Sequence, residues 1–284
     1  MNFRIERRHR LTVKLVGRNK ISEFRQIAER LVSKISPFEG VVSIVFMGGL
    51  VRGFMDKYSD IDIMVFLDKE DRVLARWIRQ MGSDVQRFTG VDVDLEVHPF
   101  EHLRNHKWNE IDRWSFAKSE IVYDPKGKTR RLFEDKLRFS DDFWVRRVVV
   151  CCEHLKWYCC PPEEDMGTMA EAWIDRGDLL SAHYCLTYSI DVMLRIIFAL
   201  NKEFVPPQKW TVFYSYGLKW LPKDYEKLLT EAMTIKGMSK DNFERRLKAL
   251  RKMWSNVMPK IEEGTGLTLD SLSRYYVEKV LCQS

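Results

Sequence analysis

Between residues 45 and 67 the chain reads VFMGGLVRGFMDKYSDIDIMVFL, and this stretch carries the side chains best suited to chemistry. Asp60 and Asp62 flank a single isoleucine at the start of the apolar run Ile61 to Leu67. In a strand, alternation turns both carboxylates to one face and Ile61 into the core. Two carboxylates one strand step apart can hold a divalent cation jointly. A second stretch, Val91-Asp92-Val93-Asp94-Leu95-Glu96-Val97, alternates apolar and acidic residues, so its three acids also share a face. Like charges stacked on a strand face are destabilising unless a cation or solvent compensates. Alone, such a strand suits a solvated sheet edge; beside Asp60 and Asp62, a metal site is the more economical reading.

Carboxylate oxygens are the hard ligands that Mg²⁺ or Mn²⁺ takes, with remaining positions left to water and substrate phosphates. Displacement at the α-phosphate of a nucleoside triphosphate needs such cations, because an anionic nucleophile approaches a polyanion and pyrophosphate leaves. Gly48 and Gly49 follow an apolar run, Val41 to Met47, and would let backbone N–H groups approach phosphates that a Cβ would hinder. A Gly-Gly pair by itself is more often a structural turn. Arg52 and Lys57, between the glycines and the acids, are within sequence reach of phosphate, with a surface ion pair an equal alternative for each. His98 could accept a proton, although a hydrogen-bonded structural histidine is favoured. Lys209-Trp210, after Pro206-Pro207, could offer a cation and a stacking ring, against the favoured alternative of an exposed lysine and a packed tryptophan. Asp191 and Arg195 are spaced as an ordinary helix pair.

The elements that must position these residues follow from periodicity. Residues 20 to 36 carry Ile21, Phe24, Ile27, Leu31, Val32 and Ile35 at helical spacing, ending before Pro37. Strands are predicted over Val41 to Met47, Ile61 to Leu67 and Val91 to Val97, with an amphipathic crossover helix over Glu70 to Arg87. Glu120 to Tyr123 is a fourth strand, closed by the turn Asp124-Pro125-Lys126-Gly127. Beyond residue 142 the pattern is helical. It is clearest from Asp178 to Asn201, with helices also expected near Phe143 to Tyr158, Asp224 to Ile235, Lys240 to Val257 and Leu269 to Leu281, punctuated by Pro161-Pro162. The expected organisation is a basic arm (1–19), a mixed α/β domain (20–141) and an all-α helical bundle (142–284), with a cleft between the two domains as the default ligand site.

A chain of 284 residues, 45% hydrophobic and 31% charged, has the balance of a folded protein. The net charge of +6 is too small to announce a nucleic-acid binder. Basic residues are dense at the amino end (Arg4, Arg7, Arg8, Arg10, Lys14, Arg18, Lys20), where a solvated surface is favoured over a phosphate contact. No run approaches the roughly 18 to 20 uninterrupted apolar residues of a membrane span, and no secretory signal is visible, so a cytoplasmic location is expected. The pairs Cys151-Cys152 and Cys159-Cys160, with His154 between them, lie in a helical pattern that favours buried reduced thiols over zinc ligands.

The run Gly48-Gly49, Gly53, Ser59-Asp60-Ile61-Asp62 and a later acid-bearing strand resembles the nucleotidyltransferase superfamily related to DNA polymerase beta, nearest in flavour to the small antibiotic-modifying members with an appended helical domain. The resemblance covers residues 43 to 100. It implies that Asp60 and Asp62 ligate Mg²⁺ or Mn²⁺ and that Gly48 and Gly49 cradle the triphosphate; Arg52, Ser59 and, from the helical half, Lys209 are the further nucleotide-binding candidates that the residues themselves offer. A third acid is implied on the later strand. Asp92, Asp94 and Glu96 all satisfy the alternation, with Asp94 preferred, Glu96 second, and the role either metal ligand or base. The activity implied is transfer of a nucleoside monophosphate from a triphosphate, expected to be ATP, to a hydroxyl acceptor with release of pyrophosphate. A small-molecule acceptor is favoured over a protein side chain or RNA end. A catalytically silent nucleotide-binding regulator is the remaining alternative, disfavoured because the acids are retained.

Overall fold

The computed structural model describes residues 15–161 and 167–283. The arm up to residue 14 and Pro162 lie outside the described residues. The chain divides into two compact units, one spanning Leu15–Arg138 and the other beginning at Phe139.

The first unit is built on a four-stranded mixed sheet. Helix α1 (Ile21–Ile35) leads into β1 (Val41–Phe46), the short helix α2 (Gly48–Arg52), β2 (Ile61–Leu67), α3 (Arg72–Thr89) and β3 (Val93–Pro99). Helices α4 (Phe100–Asn105) and α5 (Glu110–Ala117) precede β4 (Glu120–Tyr123), and α6 (Lys128–Lys136) closes the unit. The strand order is β3-β2-β1-β4, with β1 antiparallel to both neighbours and β2 parallel to β3.

Alternation sorts the strand residues between two layers. Ile44, Phe46, Ile61, Ile63, Val65, Leu95 and Val97 meet Phe24, Ala28, Leu31 and Ile35 of α1 and Ala75 and Ile78 of α3. On the other face Val45, Met47 and Phe66 meet Phe100, Leu103, Trp108, Phe116 and Phe133. Helix α3 comes close to β3 because residue 82 is glycine: a Cβ there would lie 3.1 Å from Leu95 Cδ1. Its start is capped by Asp71, which accepts from the Leu74 amide.

The second unit shows no strand among its described residues. It comprises α7 (Asp141–Tyr158), α8 (Met169–Asp175), α9 (Leu179–Leu200), α10 (Gln208–Ser215), α11 (Tyr225–Met233), α12 (Lys240–Thr265) and α13 (Leu269–Tyr275), the last running into a π turn and a final 3₁₀ turn. Helix α9 is long and apolar enough to cross a membrane by length and composition, yet 61% of the relevant window is buried inside the unit, where α9 packs on α7, α8 and α12. Its Asp191 and Arg195 form the expected i,i+4 pair at 2.7 Å. Cys152, Cys159, Cys160 and Cys185 are buried as free thiols. The expected architecture, a mixed sheet with helices followed by a helical region, is the one observed.

Candidate active site

The acid-bearing ends of β2 and β3 are brought together by backbone pairing. In the parallel register Asp62 stands beside Asp94 and Ile61 beside Val93, and the Ile61 amide donates to the Asp92 carbonyl at 2.9 Å. Paired residues in a sheet project to the same side, so Asp62 and Asp94 face one way, away from the α1–α3 layer, with Asp60 one strand step before Asp62. Glu96 pairs in register with Met64, and its carboxylate contacts His98 Nε2 at 3.1 Å. His98 therefore has the hydrogen-bonded role favoured from sequence. Asp92 lies just ahead of β3, which begins at Val93 rather than Val91. Its contribution to the sheet is a carbonyl, and its side chain stands outside the paired segment.

The glycines differ from a simple turn. Gly48 and Gly49 open α2, and the Met47 amide donates to the Asp62 carbonyl at 3.0 Å, which draws the start of α2 against β2. Gly48 has φ +53°, and a Cβ on it would lie 1.5 Å from Asp62 Oδ2 and 3.1 Å from an Arg52 guanidinium nitrogen. Only glycine leaves room for the carboxylate in this position. Gly49 answers a different need, since its Cβ would lie 3.1 Å from Met55 Cε and Cγ. Gly53 ends α2 with φ +86°.

The loop from Gly53 to Asp60 is fixed by side chains. Ser59 closes it locally: its Oγ accepts from the Asp56 amide at 3.0 Å, while Asp56 Oδ1 accepts from the Tyr58 amide at 2.9 Å. Lys57 lies over the Tyr58 ring at 4.8 Å. Asn19 clamps the loop from outside. Its amide nitrogen donates to the Gly53 carbonyl at 2.9 Å, and its Oδ1 accepts from the amides of Ile21 at 3.0 Å and Met55 at 3.1 Å. Sequence reasoning placed Asn19 at the end of the basic arm and missed this role; its position one residue before a helical pattern was the available signal.

Electrostatics single out Asp62. Burial pushes its carboxyl up to about 6; Asp60 adds to the push, Arg52 opposes it, and Asp94 and Glu96 add further. Asp94 is also raised, first by desolvation, then by Glu96, Asp60 and Asp92. A carboxylate held against its neighbours in this way gains from a cation. Among the described residues no three His, Cys, Asp or Glu side chains converge as a ready-made metal cage. The arrangement fits an ion with few protein ligands that completes its shell with phosphate and water. Lys209 is exposed on α10 in the other unit, and Trp210 beside it packs on Phe213 and Tyr214, the account favoured from sequence.

Comparison with known proteins identifies a domain in the first part of the chain. Residues 21–121 match the family model of the nucleotidyltransferase domain. Among solved structures, a nucleotidyltransferase-like protein from Exiguobacterium sibiricum 255-15 is similar at 11% identity, covering 84% of this chain and 77% of that one, with a TM-score of 0.41. A toxin–antitoxin MntA-HpeT mutant is similar at 15% identity over 46% of this chain and 96% of that one, with a TM-score of 0.31. A tri-AMPylated Shewanella oneidensis HEPN toxin in complex with MNT antitoxin gives 15% identity, 47% and 97% coverage, and a TM-score of 0.29. No curated protein matches the chain significantly. The strands, glycines and acids just described all fall inside the matched segment, and residues 21–121 of this chain are a nucleotidyltransferase domain.

Proposed function

We propose that the protein transfers a nucleoside monophosphate from a nucleoside triphosphate, ATP in the first instance, to the hydroxyl of a small-molecule acceptor, releasing pyrophosphate with the help of Mg²⁺ or Mn²⁺. The observation that carries this reading is the parallel register that sets Asp62 beside Asp94, with Asp60 one step away and Gly48 making room for the Asp62 carboxylate. Asp60 and Asp62 would hold the cation and Asp94 would join them, with Glu96 the alternative third acid. Bound there, a divalent cation supplies charge neutralisation at the triphosphate.

The chain's own groups do the rest. The start of α2 presents the backbone of Gly48 and Gly49 toward the phosphates, and Arg52 adds positive charge beside the same carboxylate. The third acid serves either as a further ligand of the cation or as the base that takes the acceptor's proton. Ser59, engaged in closing its own loop, serves the site by holding Asp60 in place.

The test is label transfer from each α-labelled triphosphate in the presence of cell extract. Asp60→Asn and Asp62→Asn are expected to abolish transfer while the variants remain folded by circular dichroism. Asp94→Asn should be severe and Asp92→Asn mild. Full activity in the Asp60 or Asp62 variant would overturn the reading. Loss in Glu96→Gln with retention in Asp94→Asn would move the third acid by two residues.

A further inference from the structure

At the opposite end of β2 and β3 from Asp60, Asp62 and Asp94 lies a groove of about 770 Å³, bordered by the Glu96–His98 contact. Its floor is the free edge of β3 at Val97–Pro99, one wall is the Arg72, Arg76, Arg79 and Ser83 side of α3, and the other is formed by His98 and His102. Leu67, which lines the groove, is five strand steps from Asp62, so roughly 17 Å of strand lies between the two sites.

The acids that also line this groove are already engaged. Glu70 is paired with Arg72 at 3.0 Å, and Asp71 caps α3 through the Leu74 amide. Arg79 donates to the Val97 carbonyl at 2.9 Å. Arg76, exposed in the middle of the wall, makes no ion pair or hydrogen bond among the described residues. Helix α3 carries four arginines against one aspartate, and its solvent side continues past Arg76 to Trp77 and Phe88, which are 63% and 81% exposed. At 100° per residue these two rings fall on one stripe beside Arg76 and Arg87.

We propose that this surface binds single-stranded nucleic acid, with the phosphodiester backbone along the arginines and bases stacked on Trp77 and Phe88. Cationic side chains flanking exposed rings are the combination that recognises unpaired bases, whose flat faces a duplex hides. Charge argues against an apolar protein partner, and the edge is blocked against an added peptide strand: Arg79 occupies the Val97 carbonyl, and Pro99 has no N–H to offer. The groove is also too large for a lone phosphate. The proposal concerns binding and does not rest on the transfer activity.

The experiment is fluorescence anisotropy of the full chain with fluorescein-labelled 15-nucleotide RNA and DNA of mixed sequence, single-stranded or duplex, without triphosphate or divalent cation. Salt-dependent binding that favours single strands is expected. Arg76→Ala should lower the slope of log K against log salt by about 0.7. Trp77→Ala should weaken binding about tenfold with an unchanged slope. Both positions are exposed, so folding is not at stake. Arg7, Arg8 and Arg10 changed together to Ala serve as the control for the basic arm. Absence of binding, equal affinity for duplex, or loss in the arm variant with none in Arg76→Ala and Trp77→Ala would overturn the proposal. So would a Trp77-dependent dimer in sedimentation that binds no oligonucleotide.

Discussion

Gly48 and the carboxylate of Asp62 compete for one volume, because the backbone bond from Met47 to the Asp62 carbonyl fixes their separation. Gly48→Ala must push the carboxylate aside and also hold an L side chain at φ +53°, at a cost of about 1 kcal/mol for the backbone alone. Label transfer from this variant should fall at least a hundredfold while its circular dichroism stays native; undiminished transfer would show that the Asp62 position does not matter. Asp62 also predicts a pH effect on stability. Its folded-state carboxyl is raised to about 6, so the folded protein holds this proton more tightly than the unfolded chain. That contribution is complete below about pH 4 and is lost as pH rises through about 6, amounting to at most about 3 kcal/mol. In metal-free buffer Asp62→Asn should therefore melt above the unsubstituted protein at pH 7, and the gap should close toward pH 4. The acids were legible in the sequence because a strand's period of two is strict. The reason for Gly48 was not, since it depends on how β1 and α2 meet β2, a relation between segments that no local pattern encodes.

Strands β1 to β3 and the long helices were legible because each is an extended apolar run or sharply periodic, and β4 because the turn Asp124-Pro125-Lys126-Gly127 closes it. Helices α4, α5, α6, α8 and α10 were not read from the sequence. Each has nine residues or fewer, a length at which the 3.6 period gives only a weak signal. A local signal did exist for α5, where Asn109 and Asp112 form a reciprocal capping box. Asn109→Ala is expected to lower stability by about 1 kcal/mol in urea titration. A larger effect is expected between elements. Ser43 in β1 and Thr129 in α6 are both fully buried and hydrogen-bond to each other, so Ser43→Ala strands the Thr129 hydroxyl in the core. The expected loss is about 1 to 3 kcal/mol. The double change Ser43→Ala with Thr129→Val should recover part of it, and a fully additive double variant would show that the hydroxyls are not coupled.

Across the molecule, acid should act on the helical unit through a buried arginine and the half-buried histidine against it. The Arg246 side chain is 1% exposed, donates to the Ala232 carbonyl at 2.7 Å and meets His183 Nδ1 at 3.0 Å. Burial first, and then Arg246, holds the His183 imidazole below its ordinary value. A depressed pKa contributes stability above the ordinary histidine range that is lost as pH falls through the folded value. His183→Gln should reduce the fall in melting temperature between pH 7.5 and pH 5.5; an unchanged fall would exclude this pair as its cause. The sheet has a separate consequence for synthesis. Because β4 pairs with β1, one edge of β1 has no partner until residues 120–123 have been made, although β2 and β3 precede them. At ~5–20 residues per second, a ribosome leaves that edge open for on the order of ten seconds after β1 is complete. The nascent chain thus passes through a stage in which a β-branched strand can template pairing with another chain, and release of the first unit from chaperones should wait on the emergence of Tyr123.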